Sequence, residues 1–280
     1  MIREVLRDLI DKLSEDELRE IYNLIKLARE NAGLAYEYLA RLSRRRLGRH
    51  IPMRGSMPPL VKRYVNAEMV SLPPPRFARR LSVEDAIISR RSRRSFRDEP
   101  LTLEEISTLL YLTAGISRWI YGAYGLARFP LRTYPSAGAL QPVELYLSAH
   151  SVTGLRPGLY HYNPVDHVLE KLREGDFSRR LIDIALGQEH VGEAPATVIM
   201  TVYWARTRWK YGDRAYRYAM LDAGFAGENL YLACEALGLG TCAVGAFYDD
   251  ELCELLEIDC VDEIPVLMFP VGRPSNAEET

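Results

Sequence analysis

Lysine is scarce in this 280-residue chain: of 36 basic residues only Lys12, Lys26, Lys62, Lys171 and Lys210 are lysines, which leaves 31 arginines. Arginine is the better partner for bidentate pairing with phosphate or carboxylate, although a general composition bias leaves the same imprint. Net charge is equally scarce, because 38 acidic residues nearly cancel the basic ones to give −2. No global field therefore draws the protein to nucleic acid or to anionic lipid, and any anion site must be local. The four cysteines, Cys234, Cys242, Cys253 and Cys260, fall late, form no C-x-x-C pair and have no neighbouring histidine. That spacing excludes a tetrahedral metal cage and a disulfide framework, and it predicts reduced core thiols of an intracellular protein. The five histidines, at 50, 150, 161, 167 and 190, are scattered, with no hydrolase-type order of acid, base and hydroxyl. No run approaches the roughly 18 apolar residues that span a bilayer. Met1, Ile2, Arg3 and Glu4 lead into charge-interrupted helix rather than an apolar signal, so cytoplasmic residence without a membrane contact is the expectation. What is present, 48% hydrophobic and 26% charged residues, suffices for a sizeable core and excludes wholesale disorder.

The chain divides near residue 80. Before it, Ile2, Val5, Leu6, Leu9, Ile10 and Leu13 recur at helical spacing. Ser14, Glu15, Asp16 and Glu17 have capping-box form ahead of a second helix carrying Leu18, Ile21, Tyr22 and Ile25. The run Arg44, Arg45, Arg46 reads as a solvated helix end, since no interleaved aromatics support nucleic-acid binding. Pro52, Pro58, Pro59, Pro73, Pro74 and Pro75 then forbid regular structure and imply an extended segment draped over a neighbour. Residues 1–80 are thus expected to be a helical and Pro-rich extension, and residues 81–280 a compact mixed domain.

Within the second stretch, short helices are expected after Ser82 and after Thr102, and a strand at 143–149 by alternation. A hairpin is expected from 158–162 and 167–172 across Asn163, Pro164, Val165 and Asp166. Buried strands at 196–204 and 265–271 bracket the longest periodic segment, 213–237, which Gly238 and Gly240 stop. Ala219, Ala223, Gly224, Ala226, Gly227 and Ala233 in that helix predict a close approach of its backbone to another helix. Helices around a largely antiparallel sheet make the fold class α+β.

Four elements could carry chemistry. Arg90, Arg91, Ser92, Arg93 and Arg94 offer phosphate donors beside a helix terminus, although a solvated arginine run would look the same. Tyr134, Pro135, Ser136, Ala137, Gly138, Ala139, Leu140, Gln141 and Pro142 make a loop whose small residues let a flat ligand approach backbone amides, or an ordinary connection. A second small-residue loop runs from Leu237 through Gly240, Thr241, Ala243, Val244 and Gly245 without the G-x-G-x-x-G order of a dinucleotide fingerprint. Last, Gly272 and Pro274 flank Arg273 at a strand end.

In this order the four elements resemble the nitroreductase superfamily of FMN-dependent oxidoreductases, over roughly residues 81–274. The resemblance implies a nitroreductase-like fold with FMN at the interface of a homodimer. It assigns the FMN phosphate and ribityl chain to Arg90, Arg91, Ser92, Arg94 and Arg273. It makes Ser136, Ala137, Gly138, Leu140 and Gln141 a loop that the partner subunit lays against the cofactor, and it sets Ala243, Val244 and Gly245 along the flavin ring near N5. The helix from Asp213 is the expected subunit contact.

Within the superfamily the chain is most similar to SagB-type dehydrogenases, which oxidise azoline rings in modified peptides. Trp209, Lys210, Tyr211, Gly212 and Asp213, then Leu221, Asp222, Ala223 and Gly224, carry this, along with the lead-in Leu72, Pro73, Pro74 and Pro75. Members commonly have His and Gln where this chain has Phe225 and Glu228. The resemblance implies Lys210 as catalytic base and Tyr211 as its orienting or relaying partner, with desolvation and nearby arginine charge favouring the free amine; an exposed pair ahead of a helix cap would need no function. Alternatives on the same fold are an NAD(P)H-dependent nitroreductase, flavin or quinone reductase, and a non-catalytic flavin-binding or interaction subunit. The expected ligands are FMN, NAD(P)H as a reductant, and a small molecule or modified peptide; nucleic acid, membrane and metal are not expected.

Overall fold

The computed structural model describes residues 10–30, 33, 55–77 and 81–275. The first expected helix falls largely, and the Arg44, Arg45, Arg46 run entirely, outside the described residues. The second is present as α1 (Glu15–Glu30). It begins as its capping box dictates: Ser14 Oγ accepts the Glu17 amide at 3.4 Å, and the Glu17 carboxylate accepts the Ser14 amide at 2.9 Å.

The remaining elements are β1 (Glu68–Ser71), α2 (Val83–Ser89), β2 (Leu101–Thr102), α3 (Leu103–Ala114), β3 (Ile116–Ile120), β4 (Phe129–Arg132), β5 (Val143–Ala149), β6 (Val152–Thr153), β7 (Gly158–Asn163) and β8 (Val168–Glu174). They continue with α4 (Ser178–Ile184), α5 (His190–Glu193), β9 (Ala196–Tyr203), α6 (Ala205–Tyr211), α7 (Ala215–Leu237), β10 (Gly240–Thr241), α8 (Asp249–Leu256) and β11 (Glu263–Gly272). Seven strands form one sheet in the order β1-β8-β7-β5-β9-β11-β10, and every neighbouring pair is antiparallel. The α+β expectation is met.

Alternation in β5 serves two buried faces rather than a wet one. Val143, Leu145 and Leu147 join Ile106, Leu109 and Leu110 of α3 and Ala219, Ala223 and Ala226 of α7 in the larger core. Tyr146 joins Leu181 and Ile184 of α4 and Leu252 and Leu256 of α8 on the other side. A sheet covered on both faces has no water-facing side, so its central strands bury both residue sets. The small residues of α7 divide likewise. α7 packs along α3, the close helix neighbour expected, and it approaches the sheet as well: a Cβ on Gly227 would stand 3.2 Å from the Phe269 ring, while Gly224 faces open space.

Near Glu144 the second face is polar, and there charge replaces oil. His161 places Nδ1 2.8 Å from a Glu170 oxygen and Nε2 3.3 Å from a Glu144 oxygen, with all three side chains buried. Arg206 pairs with the other Glu144 oxygen and donates to the carbonyls of Pro59 (2.7 Å) and Gln141 (2.9 Å). Glu263 accepts from Lys62 (2.6 Å), Tyr146 (2.8 Å) and Thr201 (2.6 Å). Backbone amides of Lys62 and Tyr64 donate to Glu144 and Glu170, so the extension closes the network. Three carboxylates face Lys62, Arg206 and His161, and the charges balance when the imidazole is protonated.

Burial alone would lower the His161 pKa, but hydrogen bonds and charge from Glu144 and Glu170 reverse that and raise it. The stability it contributes is complete below about pH 6.5, the ordinary histidine value, and is lost as pH rises through the higher folded value. Guanidinium unfolding of the native protein between pH 6 and 9 is expected to show this decline, and His161→Gln to flatten it. An unchanged slope in the variant would remove His161 from the account.

Two expectations are corrected. The proline-rich lead-in does contain regular structure: between Pro59 and Pro73, β1 pairs with β8 in the register Glu68↔Lys171 to Ser71↔Val168. Those four residues contain no proline, so each amide is available to an edge ladder. The cysteines are not all reduced thiols either. Cys234 and Cys242 are free and buried, but Cys253 and Cys260 form a disulfide. α8 ends at Glu257 in the left-handed conformation, and the Ile258 amide folds back onto the Cys253 carbonyl, which returns Cys260 to its partner. Spacing without a C-x-x-C pattern carried no sign of that turn.

Candidate active site

The segment from Arg90 to Arg94 runs alongside β10 and the end of β11. Ser92 bridges Thr241, the Arg93 amide donates to the Thr241 carbonyl at 2.8 Å, and the Arg97 amide donates to the Arg273 carbonyl at 2.8 Å. Backbone pairing thus unites three of the four sequence elements. Tyr231 of α7 sits among them: its hydroxyl is 3.1 Å from Ser92 Oγ and accepts the Ala243 amide at 2.7 Å. The Arg90 guanidinium lies 5.2 Å from the centre of the Tyr231 ring. Arg91 turns back onto the carbonyls of Ile88 and Arg90, and Arg94 is exposed. Arg273 donates to Glu105 at 2.9 Å, and its Nε is 3.3 Å from a Glu99 oxygen. Of the three amides expected along a flavin ring, Ala243 serves Tyr231 and Val244 serves Met268; Gly245 alone donates to nothing among the described residues.

A second cluster gathers around the loop at 136–141. Asp222, buried on α7, accepts the Ser136 hydroxyl at 2.6 Å and the Ala137 amide at 3.2 Å, and Ser136 Oγ accepts the Gln141 amide at 2.8 Å. Burial pushes the Asp222 carboxyl up to about 6, against the pull of these donors. Leu140 and Gln141 lie inside the protomer, where the Gln141 side chain serves the Pro130 carbonyl and Arg132; they support the loop from behind. Gly138 projects at the front with φ 59, and its carbonyl accepts the Tyr124 hydroxyl at 2.7 Å. A Cβ on Gly138 would stand 2.6 Å from the Tyr211 hydroxyl and 3.0 Å from both Lys210 Nζ and the Tyr124 hydroxyl. The glycine thus keeps clear the point on which three polar groups converge.

Lys210 and Tyr211 occupy the C-terminal end of α6, a helix that was not expected between the strand and the long helix. Lys210 donates to the Tyr124 hydroxyl at 2.7 Å, and the Tyr211 ring stands edge-on to Tyr218 at 4.8 Å. The expectation of a free amine is corrected. The hydrogen bond to Tyr124 leads in raising the Lys210 pKa, and desolvation, which would lower it, is the smaller influence. Near neutrality Lys210 is an ammonium. Tyr124 and Tyr231 were not singled out in the sequence; Asp222 was named there only as part of the stretch from Leu221 to Gly224 that carries the resemblance, without a role of its own.

These residues suit a flavin mononucleotide. Arg273 Nη1 and Thr241 Oγ1 are buried with no hydrogen-bond partner among the described residues, at the meeting point of the three paired elements. A phosphate monoester supplies the acceptor they lack. Within the chain this cluster does not meet the Lys210 cluster: Asp222 and Tyr231 are nine residues apart on α7, about 13 Å along its axis.

The nitroreductase family model matches residues 87–273. A nitroreductase-type protein, MJ1384 of Methanocaldococcus jannaschii, is 37% identical over 69% of this chain and 91% of its own. The crystal structure of a nitroreductase-type protein from Ralstonia eutropha superposes with a TM-score of 0.62 at 27% identity, covering 81% of this chain and 99% of that one. The Escherichia coli microcin B17-processing protein McbC is 24% identical over 49% of this chain, which spans about half of McbC's length. Bacillus subtilis FMN reductase (NADPH) is 26% identical over 69% of this chain and 66% of its own. By its family match and its antiparallel sheet, the chain belongs to the nitroreductase family and is an FMN-dependent oxidoreductase.

Proposed function

We propose that this protein is a SagB-type dehydrogenase acting on an azoline-like small molecule or modified peptide. The observation that carries the reading is the convergence of Lys210, Tyr211 and Tyr124 on the bare face of Gly138. Similarity to McbC supports it. Bound FMN supplies a hydride acceptor at N5. Arg90, Ser92, Arg94 and Arg273 of one protomer hold the cofactor phosphate, while the 136–141 loop with Lys210 and Tyr211 comes from its partner. Leu221 and Phe225, half exposed on α7 on either side of the open Gly224, supply an apolar contact for that homodimer. When an azoline becomes an azole, one carbon–hydrogen bond gives up a hydride and a second gives up a proton. Lys210 takes the proton at Nζ once it has lost its own, and Tyr211 orients the ring. Dioxygen or another two-electron acceptor then receives the electrons. Residues 81–280 form the FMN-binding domain in this reading, and the extension ahead of it is fastened to the sheet by Lys62, Tyr64 and β1.

A second reading has an observation of its own. An ammonium at Lys210 is a proton donor, which suits hydride delivery from NADPH through the flavin to a quinone, a nitroaromatic or free flavin, and FMN reductase (NADPH) is among the relatives.

The purified protein is expected to retain FMN through dialysis, and Arg273→Leu to raise the Kd for FMN roughly 10- to 100-fold, the loss of one charge-assisted contact. Anaerobic mixing with a thiazoline-containing peptide should bleach the flavin and remove two hydrogen atoms from the peptide, as read by mass. Bleaching by NADPH but not by thiazoline selects the second reading; no FMN binding overturns both.

A further inference from the structure

We propose that Tyr124 is a positioning residue for Lys210, carried to the site by the β3–β4 hairpin to fix the amine over the 136–141 loop. The proposal rests on the reading of Lys210 as the proton-handling group. The hairpin places Tyr124 in a short turn, Ala123–Gly125, between Gly122 and Gly125, both at positive φ. Tyr124 itself has φ 51, a left-handed conformation that a side chain bearing a Cβ adopts only at a cost. Such an outlier persists only where surrounding contacts over-determine it. Here they do. The Tyr124 ring packs against Phe129 at 5.6 Å and edge-on to Trp209 at 5.7 Å. Its hydroxyl uses both capacities, accepting from Lys210 Nζ and donating to the Gly138 carbonyl, each at 2.7 Å.

One phenol thus ties three chain segments together: the hairpin, the end of α6 and the cofactor-facing loop. The titratable groups facing the amine are the phenols of Tyr124, from the hairpin, and Tyr211, from its own helix, whose ring centroids lie 4.9 and 5.2 Å away. The loop presents the Gly138 backbone, and among the described residues no carboxylate forms an ion pair with Lys210. Tyr124 is therefore the main partner of the ammonium, and it governs how readily Lys210 gives up its proton when substrate enters. A residue that only packed the hairpin would leave that equilibrium where it was.

The test is competitive acetylation of lysines with trace acetic anhydride in the FMN-loaded dimer from pH 7 to 11, read at Lys210 by mass spectrometry. It compares wild type with Tyr124→Phe, which keeps the ring contacts, and with Tyr121→Phe, a control at an exposed position of the same hairpin. The expected result is a downward shift of about one pH unit in the Lys210 titration for Tyr124→Phe and none for Tyr121→Phe. The acid limb of thiazoline oxidation should move by the same amount. An unshifted Lys210 titration in folded, FMN-binding Tyr124→Phe overturns the proposal. A shifted titration in a protein that never oxidises thiazoline upholds Tyr124 and defeats only the substrate reading.

Discussion

Arg206→Met is expected to lower the unfolding free energy by about 3–5 kcal/mol, the cost typical of stranding one partner of a buried ion pair. The guanidinium is 1% exposed and spends its donors on Glu144 and on the carbonyls of Pro59 and Gln141. Burial alone would push the Glu144 carboxyl up; Arg206, His161 and Arg132 overcome it and hold the group far below the usual carboxylate range. Without Arg206 that carboxylate keeps its burial and loses its strongest partner. Guanidinium unfolding at pH 7 measures the loss. The double variant Glu144→Gln with Arg206→Met, which removes both charges, should recover part of it. A single-variant loss below about 1 kcal/mol would falsify the assignment of Arg206 as the compensating charge.

Lys210→Met should slow thiazoline oxidation by about 100- to 10,000-fold, the usual range for removing a general base, while leaving NADPH bleaching of the flavin within a few-fold of wild type. Stopped-flow absorbance follows both reactions in the same preparation. Because Tyr124 raises the Lys210 pKa, the wild-type oxidation rate is expected to climb about tenfold per pH unit through the neutral range, as the free-amine fraction grows. Loss of both reactions in the variant would assign Lys210 to holding the site together rather than to proton transfer.

Local order declared what was legible in the sequence. Ser14 with Glu17, and Thr102 with Glu105, fix helix starts through contacts three residues apart, and both capping boxes form. The hairpin of β7 and β8 and the stop of α7 at Gly238 follow from turn residues whose preferences act within a few positions. The arginine segment, the loop after α7 and Arg273 were separately weak signals, yet backbone pairing brings them together. What stayed hidden depends on distant partners. Glu144 looks like the wet position of an alternating strand until His161 and Arg206 arrive from two other elements. Tyr124 sits in a glycine turn whose sequence suggests a loop tip, and only the fold brings Lys210, 86 positions later, to its hydroxyl. The Lys210 charge state depends on a distant partner in the same way, because the Tyr124 phenol stands beside the amine and raises its pKa.

The main sheet is terminated by very short strands, four residues in β1 and two in β10, with a Glu68–Lys171 ion pair guarding the first. Short, charged rims give an incoming chain little ladder to extend, which disfavours amyloid-like stitching of one molecule to the next. In the proposed homodimer, side-chain relief rather than strand addition would accordingly carry the contact, a mode that a handful of surface substitutions can tune or abolish without disturbing the fold.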